Sequence, residues 1–145
     1  MADSQSYPLP VFSFTVDWGG ERIGFTEVTG LTQEVQIIEY RDGASPEHST
    51  IKMPGLRKTA NLTLKRGIVP GDNDFAAWLT TVKLNSVERR DLVISLLNEE
   101  AQPVMVWKVV RAFPTKVAGP TLKSTGNEIA IETIELAHEG LTQQL

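Results

Sequence analysis

The stretch Phe12-Ser13-Phe14-Thr15-Val16-Asp17-Trp18-Gly19-Gly20 alternates apolar and polar residues with a period of two. That is the period of a half-buried β-strand, whose successive side chains point to opposite faces. Gly19-Gly20 then supplies the positive φ angles of a tight turn, so the stretch reads as the first arm of a hairpin. The return arm is expected over about residues 21–29, with Gly30 as the next turn and a third strand over about 32–41. Upstream, residues 1–10 are polar, contain Pro8 and Pro10, and read as an N-terminal arm; residues 11–145 read as one domain.

The third strand carries apolar residues on both faces. Val35 and Ile37 lie on one, Ile38 and Tyr40 on the other, so the apolar phase switches between Ile37 and Ile38. Either a bulge re-aims the strand or both faces are buried along part of it. Residues 42–58 read as a long connection ending at Pro54-Gly55, and a connection of that length is functional or flexible. A fourth strand has Ala60, Leu62 and Leu64 inward and Asn61, Thr63 and Lys65 outward. Phe75, Trp78, Leu79 and Val82 then recur at helical spacing, predicting one amphipathic helix over about 72–84 with Asp72 as N-cap and Asn85 at its end. Further strands are expected over about 91–98, 103–113 and 127–138, with a polar loop over 114–126. Ile129 and Ile131 against Ile134 and Leu136 mark a second phase switch near Thr133. The sum is a mainly β protein: an antiparallel barrel or sandwich of about seven strands with one flanking helix.

The chain of 145 residues can bury a core without cross-links. It has no cysteine, which excludes disulfides, thiolate nucleophiles and Cys-based zinc sites. Its net charge of -4 argues against a general duplex-DNA binder and against specific nucleic-acid binding. The first residues lack the basic and apolar segments of a Sec signal peptide, and no apolar run approaches a membrane span, so the expectation is a cytoplasm-made protein without membrane anchor. The two histidines, His48 and His138, stand alone and read as solvated residues. Asp72-Asn73-Asp74 lacks the glycine and distal glutamate of a calcium loop and reads as a helix cap. No nucleophile–base pair, metal set or phosphate loop can be assembled, so no enzyme activity and no cofactor are expected.

Charge placement is more telling. Residues 52–66 hold Lys52, Arg57, Lys58, Lys65 and Arg66 without an acid, whereas 127–145 hold Glu128, Glu132, Glu135 and Glu139 without a base. One reading is two solvated patches. The other is head-to-tail contact between copies, which closes rings or grows filaments.

Several segments together resemble the inner tube proteins of contractile injection systems. They are residues 12–20, Phe25-Thr-Glu-Val-Thr-Gly-Leu, Ile38-Glu-Tyr-Arg-Asp-Gly, Lys52-Met-Pro-Gly-Leu, Leu62-Thr-Leu-Lys-Arg-Gly, Trp78, Ala112-Phe-Pro-Thr and Asn127-Glu-Ile-Ala. The likeness covers about residues 8–138 and is nearest to particles of the antifeeding prophage and Photorhabdus virulence cassette type. It extends to contractile phage tail tubes and, more distantly, to the type VI secretion tube. It implies a structural subunit: six copies form a ring, and rings stack into a hollow tube inside a contractile sheath. On contraction the tube is driven through a target envelope. Sheath, baseplate and cap proteins are the implied partners, and protein cargo in the lumen the implied freight. The particle is one that can be released from the cell.

On this resemblance, Asp42, Gly43, Lys52, Pro54, Gly55, Arg57, Lys58, Glu132 and Glu135 are candidates for contacts between subunits or rings, with the 42–58 loop reaching the adjacent ring. Hairpins 21–41 and 91–113 are candidates for the lumen wall, with Gln33, Gln36, Ser95 and Lys108 facing the channel. Two other readings stay open: a phage tail tube that conducts DNA, and a monomeric ligand-binding β-barrel.

Overall fold

The computed structural model describes residues 13–18, 24–41, 43, 51–84 and 86–144. Among these described residues, nine strands and one helix follow one another: β1 (Phe14–Asp17), β2 (Phe25–Thr29), β3 (Gln33–Tyr40), β4 (Ile51–Thr59), β5 (Leu62–Gly67), α1 (Asp74–Leu79), β6 (Arg90–Leu97), β7 (Pro103–Ala118), β8 (Ile131–Ala137) and β9 (Gly140–Gln144). Seven of the strands join in antiparallel order β1-β6-β7-β8-β5-β2, with β9 on the other side of β7. β3 and β4 form a separate two-stranded ribbon.

The long strand β7 links two layers. Residues 103–112 pair with β6 and 106–110 with β9, whereas 113–118 pair with β8. Just before the change of partner stands Arg111 with φ 53°, a left-handed conformation uncommon for a side chain with a Cβ. The partner strand shows the matching irregularity between Arg90 and Leu92. This bulged corner turns one strand from the layer β1-β6-β7-β9 into the layer β7-β8-β5-β2.

The core fills the space between the layers. β5 and β8 contribute Leu62, Leu64, Ile134 and Leu136; β6, β7 and β9 contribute Leu92, Ile94, Val109, Ala112 and Leu141. α1 adds Phe75 and Trp78, and Trp18 meets both, with ring centroids 5.3 Å and 5.9 Å apart. Alternation in β5 is strict, and its third inward position is Arg66, only 1% exposed. Arg66 donates through Nε to Glu132 at 2.7 Å and through both terminal nitrogens to Asp72 at 3.1 and 3.3 Å. Its guanidinium lies 4.0 Å from the Phe75 ring centroid. A buried cation is tolerated because every face of it is matched by a carboxylate or an aromatic ring.

Several sequence expectations are corrected. β1 and β2 are not a hairpin: β1 pairs with β6 and β2 with β5, at opposite ends of the strand order. The reason lies in Trp18, which enters the core and meets Phe25 at 6.1 Å, so the chain crosses between layers instead of turning back. Gly19 and Gly20 themselves lie outside the described residues. The third strand forms where expected but pairs with residues 51–59, which are strand β4 and not part of a long connection. The helix is six residues long and stops at Leu79. Thr80 and Thr81 hydroxyls donate at 2.7 Å to the carbonyls of Ala77 and Trp78, offering the backbone an alternative to further helix. Its N-cap is Asn73, with no side-chain cap bond, while Asp72 accepts the Asp74 amide at 3.1 Å. Asn85 lies outside the described residues. β7 continues to Ala118, through part of the expected loop, and Ile129 precedes β8 instead of belonging to it. The short terminal strand β9 was not anticipated.

Candidate assembly interface

The β3–β4 ribbon stands apart from the core. All eight residues of β3 are exposed, and β4 is exposed along most of its length. The register sorts its two faces. Ile38 faces Met53 and Tyr40 faces Ile51, which places four apolar side chains on one face of the outer half. On the other face lie Val35 opposite Arg57, Ile37 opposite Pro54, and Glu39 opposite Lys52. Between Val35 and Ile37 the register shifts by one extra residue in β4, at Gly55-Leu56. Leu56 is 77% and Ile37 64% exposed. A Cβ on Gly55 would crowd the Gln36 carbonyl at 3.0 Å and the Ile38 side chain at 3.1 Å, so glycine lets the bulge close. The sequence's phase switch is thus real, and its cause is a ribbon apolar on both sides. An isolated two-stranded ribbon is at best marginal in water, so these faces call for a cover.

Three further strand edges are open among the described residues. β1 pairs only with β6, β9 only with β7, and β2 only with β5. The layer β1-β6-β7-β9 therefore has a free edge at each end, a template for pairing with another chain. Its outer face is set by the rows Asp17–Val93–Lys108–Thr142 and Thr15–Ser95–Val106–Gln144. Along these rows Thr15, Ser95, Thr142 and Gln144 are interspersed with Val93 and Val106, and Asp17 and Lys108 stand two strands apart.

The candidate residues from sequence fall into separate places. Lys52, Pro54, Gly55, Arg57 and Lys58 sit together on β4 and are exposed, apart from the half-buried Gly55. Gly43 lies just past β3; Asp42 and residues 44–50, the heart of the expected loop, lie outside the described residues. Glu132 serves Arg66 of its own chain, and Glu135 accepts the Asn61 side-chain amide at 3.0 Å. The acidic segment is therefore partly neutralised internally. Glu139 likewise bridges Arg89 and Arg111, each at 3.1 Å. Of the channel candidates, Ser95 and Lys108 share the outer face just described, whereas Gln33 and Gln36 stand on the ribbon.

Sequence reasoning missed the buried role of Arg66; its inward phase after Leu62 and Leu64 was the available signal. A groove of about 310 Å³ lies between the layers, lined among others by Phe14, Val28, Leu31 and Trp107. Among the described residues no group of acids and histidines could hold a metal, and no helix is long and apolar enough to cross a membrane.

An exposed two-faced ribbon and a sheet layer open at both ends leave extended surface available to other chains. The family model of the T4-like virus tail tube protein gp19 matches residues 10–142, and the chain belongs to that family. It is a tail tube protein, a structural subunit of a tube. Among solved structures it is 38% identical to a chain of the PVC sheath–tube complex, an extracellular contractile injection system in the extended state. That match covers 99% of this chain and 98% of the other, with a TM-score of 0.88. It is 39% identical to a chain of the anti-feeding prophage cap, the tube-terminating cap, over 99% of this chain and 95% of that one, also at 0.88. Hcp1 from Flavobacterium johnsoniae shares the fold at 12% identity, over 90% of this chain and 93% of that one, with a TM-score of 0.59. No curated protein matches the chain.

Proposed function

We propose that this tube subunit forms six-membered rings that stack into the hollow inner tube of a contractile particle, and that the tube acts mechanically, without catalysis. The observation that carries the reading is the apolar ribbon β3–β4, whose two faces lack a cover among the described residues. The ribbon reaches a neighbouring subunit or ring, with Lys52, Pro54, Gly55, Arg57 and Lys58 in the contact. The free edges of β1 and β9 join from copy to copy and close a continuous barrel, which removes exposed edges. Its inner face is the polar one, with Ser95 and Lys108 toward the channel. A wall of hydroxyls, amides and balanced charge lets a polypeptide cargo pass without sticking.

Since relatives are seen in a sheath–tube complex and in a tube-terminating cap, a contractile sheath and a cap protein are the partners this reading supplies. Release of the particle from the cell follows the same analogy. The matching of a phage tail tube model favours one alternative, a tail that conducts DNA. Capsid and terminase genes beside the coding sequence would select it.

Native mass spectrometry of the concentrated protein tests the ring. Masses in multiples of six chains are expected. A series of dimers and tetramers would contradict the proposal.

A further inference from the structure

His138 is not the solvated residue that its sequence setting suggests. Its Nε2 lies 3.0 Å from the Ala60 carbonyl oxygen, and its Nδ1 is buried with no hydrogen-bond partner among the described residues. A carbonyl oxygen only accepts, so Nε2 carries the proton, and the neutral ring leaves Nδ1 bare.

This bond falls at the root of the ribbon. The β2–β5 ladder ends at the pair Thr29–Thr63, and the β3–β4 ladder begins at Gln33–Thr59. No ladder pair joins residues 30–32 to 60–62, so these are two legs on which the ribbon leaves the sandwich. The legs touch where Gly30 meets the Asn61 backbone, too closely for a Cβ. β8 and its end hold the second leg twice: Glu135 accepts the Asn61 side-chain amide at 3.0 Å, and His138 donates to Ala60. Two bonds on one leg fix the direction in which the ribbon points.

The charged groups on the elements that meet there are set apart from the ring. Glu135 holds Asn61, and Glu139 is bridged by Arg89 and Arg111, each at 3.1 Å. On the ribbon, Glu34 stands opposite Lys58, and Arg57 opposite Val35. On β5, Lys65 meets Glu27 at 3.6 Å, and Arg66 meets Glu132 and Asp72. Among the described residues none of these carboxylates forms an ion pair with the ring. A proton taken from solvent by Nδ1 therefore adds a charge and an N–H donor without an acceptor to a buried place. Turning the ring out into water satisfies both, at the loss of the bond to Ala60.

We propose that His138 is a pH-sensitive latch at the root of the β3–β4 ribbon: the neutral ring holds the Ala60 carbonyl and keeps the ribbon pointed, and protonation of Nδ1 releases the leg and lets the ribbon swing. The hold is present at neutral and higher pH and is lost as the pH falls through the range in which imidazoles titrate. The latch is a property of the single chain. Its use, a subunit that presents its ribbon only when the latch is closed, rests on the tube reading.

Because the chain has no cysteine, two spin labels can be placed cleanly, at Glu39→Cys on the ribbon and Ala77→Cys on α1. Distances are measured on the dissociated full-length subunit at about pH 8 and about pH 5, which bracket imidazole titration. With His138 in place, one narrow distance is expected at the higher pH and a clearly broader distribution at the lower. His138→Gln should stay narrow at both, because its side-chain amide can donate to the same carbonyl and does not titrate. His138→Ala should be broad at both. The only other histidine is His48, and His48→Gln should leave the pH response in place. A distribution that is unchanged between the two pH values overturns the latch, and this comparison needs no histidine variant to fold. Broadening that survives in His138→Gln also overturns it, since a carboxylate would then be responsible. Sedimentation then reads the use of the latch. Without labels, assembly of the wild type should weaken about tenfold at the lower pH, the worth of one hydrogen bond, and that of His138→Gln should not. Equal wild-type assembly at both pH values overturns that use. A protein that never assembles removes the tube reading, while the distances still decide the latch.

Discussion

Arg66 is where the polar interior is concentrated. Its guanidinium joins β5 to Glu132 on β8 and to Asp72 at the entrance of α1, so one side chain ties three elements together. Removing one member of a buried ion network leaves the others desolvated and unpaired. Arg66→Met should therefore lower unfolding stability by about 3 kcal/mol in urea denaturation, and Arg66→Lys should recover only part, since an ammonium cannot reproduce the planar two-nitrogen grip on Asp72. A loss below about 1 kcal/mol for Arg66→Met would show that the network is not holding the core. Gly30 gives a second test. It has φ 98°, and a Cβ there would collide with the Asn61 carbonyl oxygen. Gly30→Ala should cost more than about 2 kcal/mol in the same assay, because it meets both an unfavourable backbone region and a clash with the β4–β5 turn. Stability within error of wild type would contradict the close approach.

The β3–β4 ribbon behaves in the opposite way, because its side chains contribute to no internal core. Ile38→Asp and Tyr40→Asp should leave thermal unfolding within about 0.5 kcal/mol of wild type and still abolish tube growth by sedimentation. A parallel loss of stability would mean that the ribbon folds back on its own domain. This element also shows what the chain's text reveals and what it hides. Alternation marked β1 and β5 because each has one buried face, and the phase break at Ile37/Ile38 marked a strand with two. Pairing partners were not legible. Gly19-Gly20 looks like a hairpin turn by local chemistry, but burial of Trp18 sends the chain to the other layer. β4 was hidden because Pro54 and Gly55 are breaking signals anywhere except in an edge strand at a bulge. The helix was overextended because Val82 keeps the apolar spacing after the threonine hydroxyls have ended the turn. Charge singled out exposed residues on β4, but it could not show that Glu132 already serves the buried Arg66 of its own chain.

At the level of the whole molecule, the proposed tube draws its stiffness from many repeated contacts, for which the open edges, the ribbon and the outer face of β1-β6-β7-β9 offer the surfaces. Lys108, which the proposed tube turns toward its channel, provides a probe of that arrangement. In assembled tubes, Lys108→Cys should react with a small maleimide and resist one attached to a large protein, while the dissociated subunit should accept both; equal labelling of tubes by both reagents would place residue 108 on the outside. The central claim is that the uncovered surfaces of this chain are buried between copies in a six-fold hollow tube. Electron microscopy of the purified protein, concentrated at moderate salt and supplied with a nucleating baseplate complex, tests it most directly. Hollow tubes of uniform width with six-fold end views are predicted for the wild type and none for Ile38→Asp; a wild-type protein that stays monomeric beside the baseplate, or tubes that Ile38→Asp forms equally well, would contradict the account.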